Sequence, residues 1–155
     1  MNAVEFNAYA ERSIPEYAQD KVDSGQWSKE SSLELSRQEF DRMLPEGTET
    51  PSNFLFTVRD AVTQENVGML WYAVQDRAGE CVAYVYDVLV EPPYQRMGYG
   101  TRIFEALEVE VGSHGLCGIA LHVFGHNTAA RALYAKLGYQ TTNVNMFKRV
   151  SSAGT

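Results

Sequence analysis

Cysteine, histidine and tryptophan are scarce in this sequence: two, three and two among 155 residues. Cys81 and Cys117 lie far apart in apolar stretches and have no basic neighbour. They are expected to be buried thiols acting as small hydrophobes, neither a disulfide nor an acyl-carrying nucleophile. Basic residues are also few. Thirteen Lys and Arg face twenty Asp and Glu, a net charge of −7, which argues against a nucleic-acid partner and mildly favours a cationic one. No uncharged apolar run approaches the roughly 18 residues of a membrane span, so no membrane partner is expected. The first 17 residues carry Glu5, Glu11 and Arg12 and hold no signal-peptide core, so the expected location is cytoplasmic. The serine elbow Gly-x-Ser-x-Gly and the phosphate loop Gly-x4-Gly-Lys-Ser/Thr are both missing. His122 and His126 lie four apart without the glutamate of a His-Glu-x-x-His helix, so no metal site is expected.

What is present is an ordinary globular composition, 45% apolar and 21% charged, in a chain about one domain long. The first fifty residues read as two helices. Residues 4–22 carry apolar positions at loose helical spacing and Gly25 closes them. Next, Ser31 and Glu34 have the capping-box spacing, Leu33, Arg37, Phe40 and Leu44 fall near one stripe, and Pro45 with Gly47 ends the second helix. From Phe54 the period shortens. Phe54–Arg59 and Val67–Val74 form an antiparallel pair across a polar turn, and a turn at Gly79 leads into Cys81–Val90, the expected central strand. A glycine-bearing loop, a helix to about Gly112 with Ile103, Phe104, Leu107 and Val111 along one face, a strand over Leu116–Phe124 and a short helix over Asn127–Leu137 follow, the last stopped by Gly138. Tyr139–Lys148 is expected to close the sheet as a strand or hairpin, and Ser151–Thr155 to fray.

Gly98 and Gly100 sit where the central strand gives way to a helix. Backbone there turns tightly and aims unpaired amides outward, and the helix dipole favours an anion. Arg96 adds a cation and Thr101 a hydroxyl, so a diphosphate is the natural ligand. A dinucleotide fingerprint wants a small residue where Ile103 stands. Alone, the two glycines also suit a plain strand-to-helix connection.

Gln95-Arg96-Met97-Gly98-Tyr99-Gly100 resembles the pyrophosphate loop of the GNAT acetyltransferases. Asn127 through Tyr134, followed by Leu137-Gly138-Tyr139, resembles that superfamily's second signature. Seven residues turn a helix through about 700°, so Asn127 and Tyr134 share a face roughly 10 Å apart along the axis, although Asn127 is also a good helix cap. The resemblance implies an α/β (α+β) fold with a mixed, mostly antiparallel central sheet flanked by helices, its central strands splayed. Residues 1–150 would form one acetyltransferase domain, with residues 1–50 shaping the acceptor site and residues 81–139 binding the cosubstrate. That cosubstrate would be acetyl-CoA, held by Leu89, Val90, Gln95, Arg96, Met97, Gly98, Tyr99, Gly100, Thr101 and Asn127.

By the same resemblance Tyr134 protonates the departing thiolate. Two residues compete for the base. His122 stands five residues before Asn127, where several family members place a glutamate, and its pKa suits proton relay. Asp87, just before the pantetheine contacts, holds or deprotonates a cationic amine. The acceptor is expected to be the amine of a small molecule or peptide; Trp27 either offers it a cation–π wall or, as is commoner for a Trp in a helix–helix loop, simply packs, and a homodimer is left open. The rival function is a CoA-binding sensor or interaction module that keeps the fold without the chemistry.

Overall fold

The computed structural model describes residues 1–151 and 154. Helices and strands follow the expected order: α1 (Ala3–Asp23), α2 (Ser32–Met43), β1 (Asn53–Arg59), β2 (Asn66–Arg77), β3 (Glu80–Val90), α3 (Tyr99–Ser113), β4 (Ile119–Leu121) and α4 (Thr128–Lys136). The sheet runs β1-β2-β3-β4, with the first two pairings antiparallel and β3–β4 parallel. Among the described residues no helix is long and apolar enough to cross a membrane.

Alternation along the strands divides the core between the two faces of the sheet. Leu70, Tyr72, Ala83 and Val85 face α3, where Ile103, Phe104, Leu107 and Val111 form the buried stripe expected along one face of the helix. Leu55, Met69 and Trp71 point the other way, onto Tyr9 of α1 and Leu44 after α2. β2 is buried along most of its length because both layers use it.

Several local expectations change. The Ser31–Glu34 capping box does not form, since the Ser31 hydroxyl pairs with that of Ser28 at 2.8 Å. A complete box instead starts α1, where Asn2 accepts from the Glu5 amide and Glu5 accepts from the Asn2 amide, both at 2.9 Å. Leu33 is 49% exposed. The buried side of α2 runs through Ser32 and Ser36, and the Ser36 hydroxyl donates to the Ile14 carbonyl of α1 at 2.7 Å. A hydroxyl that hydrogen-bonds across the helix pair is buried without penalty. Cys81 and Cys117 are both exposed. They flank each other at the open end of the sheet, where the Cys117 amide donates to the Cys81 carbonyl, and no layer covers them. The strand expected over Leu116–Phe124 contracts to three residues, and Tyr139–Lys148 forms no strand. Of the expected fraying tail, Ser152, Ala153 and Thr155 lie outside the described residues.

One glycine fixes how closely β2 and β3 meet. A Cβ on Gly68 would stand 2.1 Å from the Leu89 carbonyl oxygen, which is backbone and cannot swing away. Gly68→Ala is therefore expected to lower unfolding free energy by about 1–3 kcal/mol. Gly112→Ala, whose methyl meets nothing within 4 Å, should raise it by about 0.4–1 kcal/mol. Urea unfolding of both variants checks this, and equal stability of Gly68→Ala and the parent contradicts the close approach.

Candidate active site

β3 carries one residue more than β2 opposite it. Trp71 pairs with Asp87 and Tyr72 with Val85, which leaves Tyr86 as a bulge. Strict alternation would put Asp87 on the same face as Val85, against α3. The extra residue reverses the phase: Val88 and Val90 pack toward α3, and Leu89 turns toward α1. Asp87 turns the same way. Bulges commonly re-aim a side chain in this manner. The Tyr86 ring is tilted against those of Trp71 and Tyr84, with centroids 4.8 Å apart in both pairs, on the α1 side.

Next to the bulge the sheet opens. β3 and β4 pair only at Ala83–Ile119, Tyr84–Ala120 and Val85–Leu121. Beyond them residues 86–90 continue as strand while residues 122–124 leave it. A cleft of about 550 Å³ occupies the gap, and Asp87, Val88, His122, Asn127 and Tyr134 all line it. Three expected catalytic residues thus converge on one space.

Asp87 is largely enclosed, and burial pushes its carboxyl above the usual range; hydrogen bonds from Tyr9, the Val88 amide and Ser13, with the nearby Arg12 charge, offset part of the rise. The Tyr9 hydroxyl donates to Oδ2 at 2.8 Å and the Ser13 hydroxyl reaches the same oxygen at 3.4 Å. Burial, and then the Asp87 charge, push the Tyr134 phenol up to about 12, so it keeps its proton at neutral pH. Its ring is fixed edge-on to Phe104 and tilted against Tyr139. Burial and the Lys21 charge lower the His122 imidazole below 6.5, so at neutral pH it is uncharged and able to accept a proton.

The expected cosubstrate loop divides into different tasks. Gly98 caps α3 in the left-handed region at φ 81°, with no side chain covering the first amides of the helix. Arg96 takes φ 60° beside it, a conformation rare for a residue with a Cβ. Gly100 has an ordinary φ, but a Cβ there would meet Leu133 of α4 at 3.2 Å, so it sets the approach of the two helices. Gln95 folds back to donate to the Val90 carbonyl at 3.0 Å. The Tyr99 hydroxyl donates to Asp60 at 2.6 Å. That bond and the amides of Thr63 and Val62 hold the Asp60 carboxyl down to about 2. Arg102 lies over the Tyr99 ring and donates to the Met97 and Gly98 carbonyls. Asn127 caps α4, accepting from the Ala130 amide at 3.2 Å. None of the ten expected cosubstrate residues except Asn127 lines the cleft itself.

Sequence reasoning gave residues 1–50 to the acceptor site but named none of the α1 side chains that line the cleft. Tyr9, Ser13, Glu16, Tyr17 and Asp20 all line the cleft, and their spacing of four, three, one and three is a polar helical stripe. Trp27 does not wall the cleft. It packs edge-on to Tyr17, the commoner role of a Trp in such a loop, and Lys21 lies 5.3 Å from its ring centroid.

The chain matches the Acetyltransferase (GNAT) family over residues 16–139. It is 35% identical to the uncharacterized N-acetyltransferase YycN of Bacillus subtilis (strain 168) over 150 residues, covering 97% of this chain and 96% of that protein. The YycN crystal structure superposes with a TM-score of 0.92, covering 98% of this chain and 96% of the other. Over 62 residues, 40% of this chain and 42% of the relative, it is 36% identical to the [Ribosomal protein bS18]-alanine N-acetyltransferase of Escherichia coli (strain K12).

The raised Asp87 carboxyl gives a testable pH dependence. Folding holds its proton more tightly than the unfolded chain does, so its stabilising contribution is complete below the ordinary range near 3.8 and is lost as pH rises through the folded value. Asp87→Asn lacks this dependence. Its melting temperature should therefore gain on that of the parent between about pH 4 and 7. A difference that stays constant over that range contradicts the buried carboxyl.

Proposed function

The chain belongs to the GNAT acetyltransferase family, and on that premise we propose that it moves the acetyl group of acetyl-CoA directly to a primary amine of a small molecule or a peptide N-terminus. The observation that carries this reading is the convergence of Asp87 and Tyr134 on the cleft where β3 and β4 part. In this proposal residues 1–150 work as one domain: the helices of residues 1–50 shape the acceptor site and residues 81–139 hold the cosubstrate. A cytoplasmic location and a homodimer belong to the same reading.

The residues present suit the cosubstrate. The left-handed Gly98, the uncapped amides of α3 and the Arg96 cation suit a diphosphate. The edge of residues 88–90 that faces the gap, where Gln95 already takes the Val90 carbonyl, offers strand-like backbone to an amide-bearing arm. Bound acetyl-CoA supplies the thioester carbonyl. The protein's own task is to move two protons. An amine of pKa about 8–10 is mostly protonated at neutral pH, and Asp87, held by Tyr9 and Ser13, accepts its proton. Tyr134, still protonated, gives one to the departing sulfur. His122 stands on the opposite wall as the alternative acceptor. Four cleft carboxylates, Glu16, Asp20, Glu39 and Asp87, face the two cations Lys21 and Arg42, a balance that favours a cationic acceptor. The bS18-alanine N-acetyltransferase, by its name, modifies an alanine amine, and that kinship supports an amine here.

Release of free thiol from acetyl-CoA, followed across a panel of small amines and peptides, tests the reading. Tyr134→Phe should lower kcat by about 10²- to 10⁴-fold with acetyl-CoA affinity preserved, whereas Gly98→Val should abolish calorimetric CoA binding in a folded protein. If Asp87 is the acceptor of the amine proton, His122→Ala keeps the parent pH profile. Full activity of Tyr134→Phe across the pH range removes it from the acid role. CoA binding without turnover on any amine favours the sensor instead.

A further inference from the structure

The turn between β1 and β2 is closed by one side chain. Asp60 Oδ1 accepts from the amides of Val62 and Thr63, both at 2.9 Å, the pattern by which an aspartate fixes a turn on itself. Backbone bonds complete it: the Asp60 amide donates to the Glu65 carbonyl at 3.0 Å and the Gln64 amide to the Asp60 carbonyl at 2.9 Å. None of this uses the second carboxylate oxygen. Oδ2 instead accepts the hydroxyl of Tyr99, 39 residues away in sequence, at 2.6 Å, the length of a charge-assisted bond.

Tyr99 lies between the two glycines of the loop, and other groups grip its ring. The Arg102 guanidinium sits 4.3 Å from the ring centroid, and Tyr94 packs edge-on at 6.0 Å. Burial and then the Glu65 charge raise the Tyr94 phenol, so the far end of the β1–β2 turn reaches the same cluster. Arg102 donates to the Met97 and Gly98 carbonyls at 3.0 and 3.4 Å. Across a trans peptide the amide points opposite to the carbonyl, so the Gly98 and Tyr99 amides face away from Arg102. Among the described residues no backbone bond takes any amide from Arg96 to Thr101. Open donors in a row, with Arg96 and Gly98 both left-handed, are unfavourable for a loop left to itself and persist where the surroundings hold them.

We propose that Asp60 and Tyr99 are positioning residues for the cosubstrate: their bond fastens the Gln95–Thr101 loop to the β1–β2 turn and keeps its amides in the binding arrangement before the diphosphate arrives. The inference rests on the reading that this loop takes CoA. Where a loop is ordered in advance, binding need not supply the ordering. Part of the affinity for CoA therefore resides in a turn that does not line the cleft. The Tyr99 hydroxyl, committed to Asp60, acts through the shape of the loop.

Calorimetry with CoA and steady-state kinetics on the full chain test this. Tyr99→Phe removes the hydroxyl and keeps the ring on Arg102 and Tyr94. Asp60→Asn keeps an oxygen for the Val62 and Thr63 amides and gives up the charge. Each should weaken CoA binding by about 3- to 30-fold. KM for acetyl-CoA should rise in step, with kcat and the acceptor's KM within about twofold of the parent. The double variant should bind no more weakly than the worse single one, because both substitutions remove the same bond. Should Asp60→Asn fail to fold, Asp60→Ser, which keeps a short oxygen for the turn amides, takes its place in the cycle. Unchanged CoA affinity in both single variants overturns the inference and leaves the loop standing as a CoA site. So do losses that add in the double variant, since the two residues then act separately, or a fall in kcat with KM unmoved. A parent that binds no CoA overturns the reading beneath it, and the inference with it.

Discussion

Everything specific about this molecule follows from where two parallel strands stop pairing. β3 and β4 share three residue pairs and then part after Val85 and Leu121. Had the ladder continued, the Val88–Val90 backbone would be satisfied within the sheet and no cleft would exist. The gap leaves polar backbone open at the middle of a domain, where it normally finds a partner. A site that binds an extended, amide-bearing ligand is one way to supply that partner.

The bulge at Tyr86 gives the gap its chemistry. One inserted residue moves Asp87 from the apolar α3 side to the side where Tyr9 and Ser13 of α1 reach it. Burial then raises a carboxyl that a surface position would leave fully ionised. Tyr134 answers from α4, its phenol raised by burial and by Asp87. A carboxyl with raised proton affinity and a phenol that stays protonated divide the acceptor and donor roles of one transfer. Neither placement favours stability, and the surrounding aromatic packing of Trp71, Tyr86, Phe104 and Tyr139 holds them in position.

Element order and the α3 stripe were legible in the sequence because periodicity reports on local structure, while the three cleft residues Asp87, His122 and Tyr134 were marked by the resemblance to the GNAT signatures. The parts that escaped depend on long-range partners. No local signal distinguishes the bulge at Tyr86 from regular strand, since Tyr84 through Val90 alternates plausibly either way. The polar stripe Tyr9, Ser13, Glu16 was visible, but without the fold it reads as a solvated helix face. Cys81 and Cys117 were misplaced because an apolar neighbourhood in sequence does not ensure a covering layer in space. The Ser31 capping box lost to a nearer hydroxyl on Ser28. Tyr139–Lys148 carries a real strand preference, and in this structure that preference goes unmet.

Backbone amide exchange with and without CoA tests the central claim, that the parted strands and the adjacent helix end form one binding surface. The account predicts slowed exchange at residues 88–90 and 97–101 on addition of CoA, with β1 and the β1–β2 ladder unchanged. Binding that leaves those two segments at their free rates, or that protects a surface away from the cleft, would contradict it.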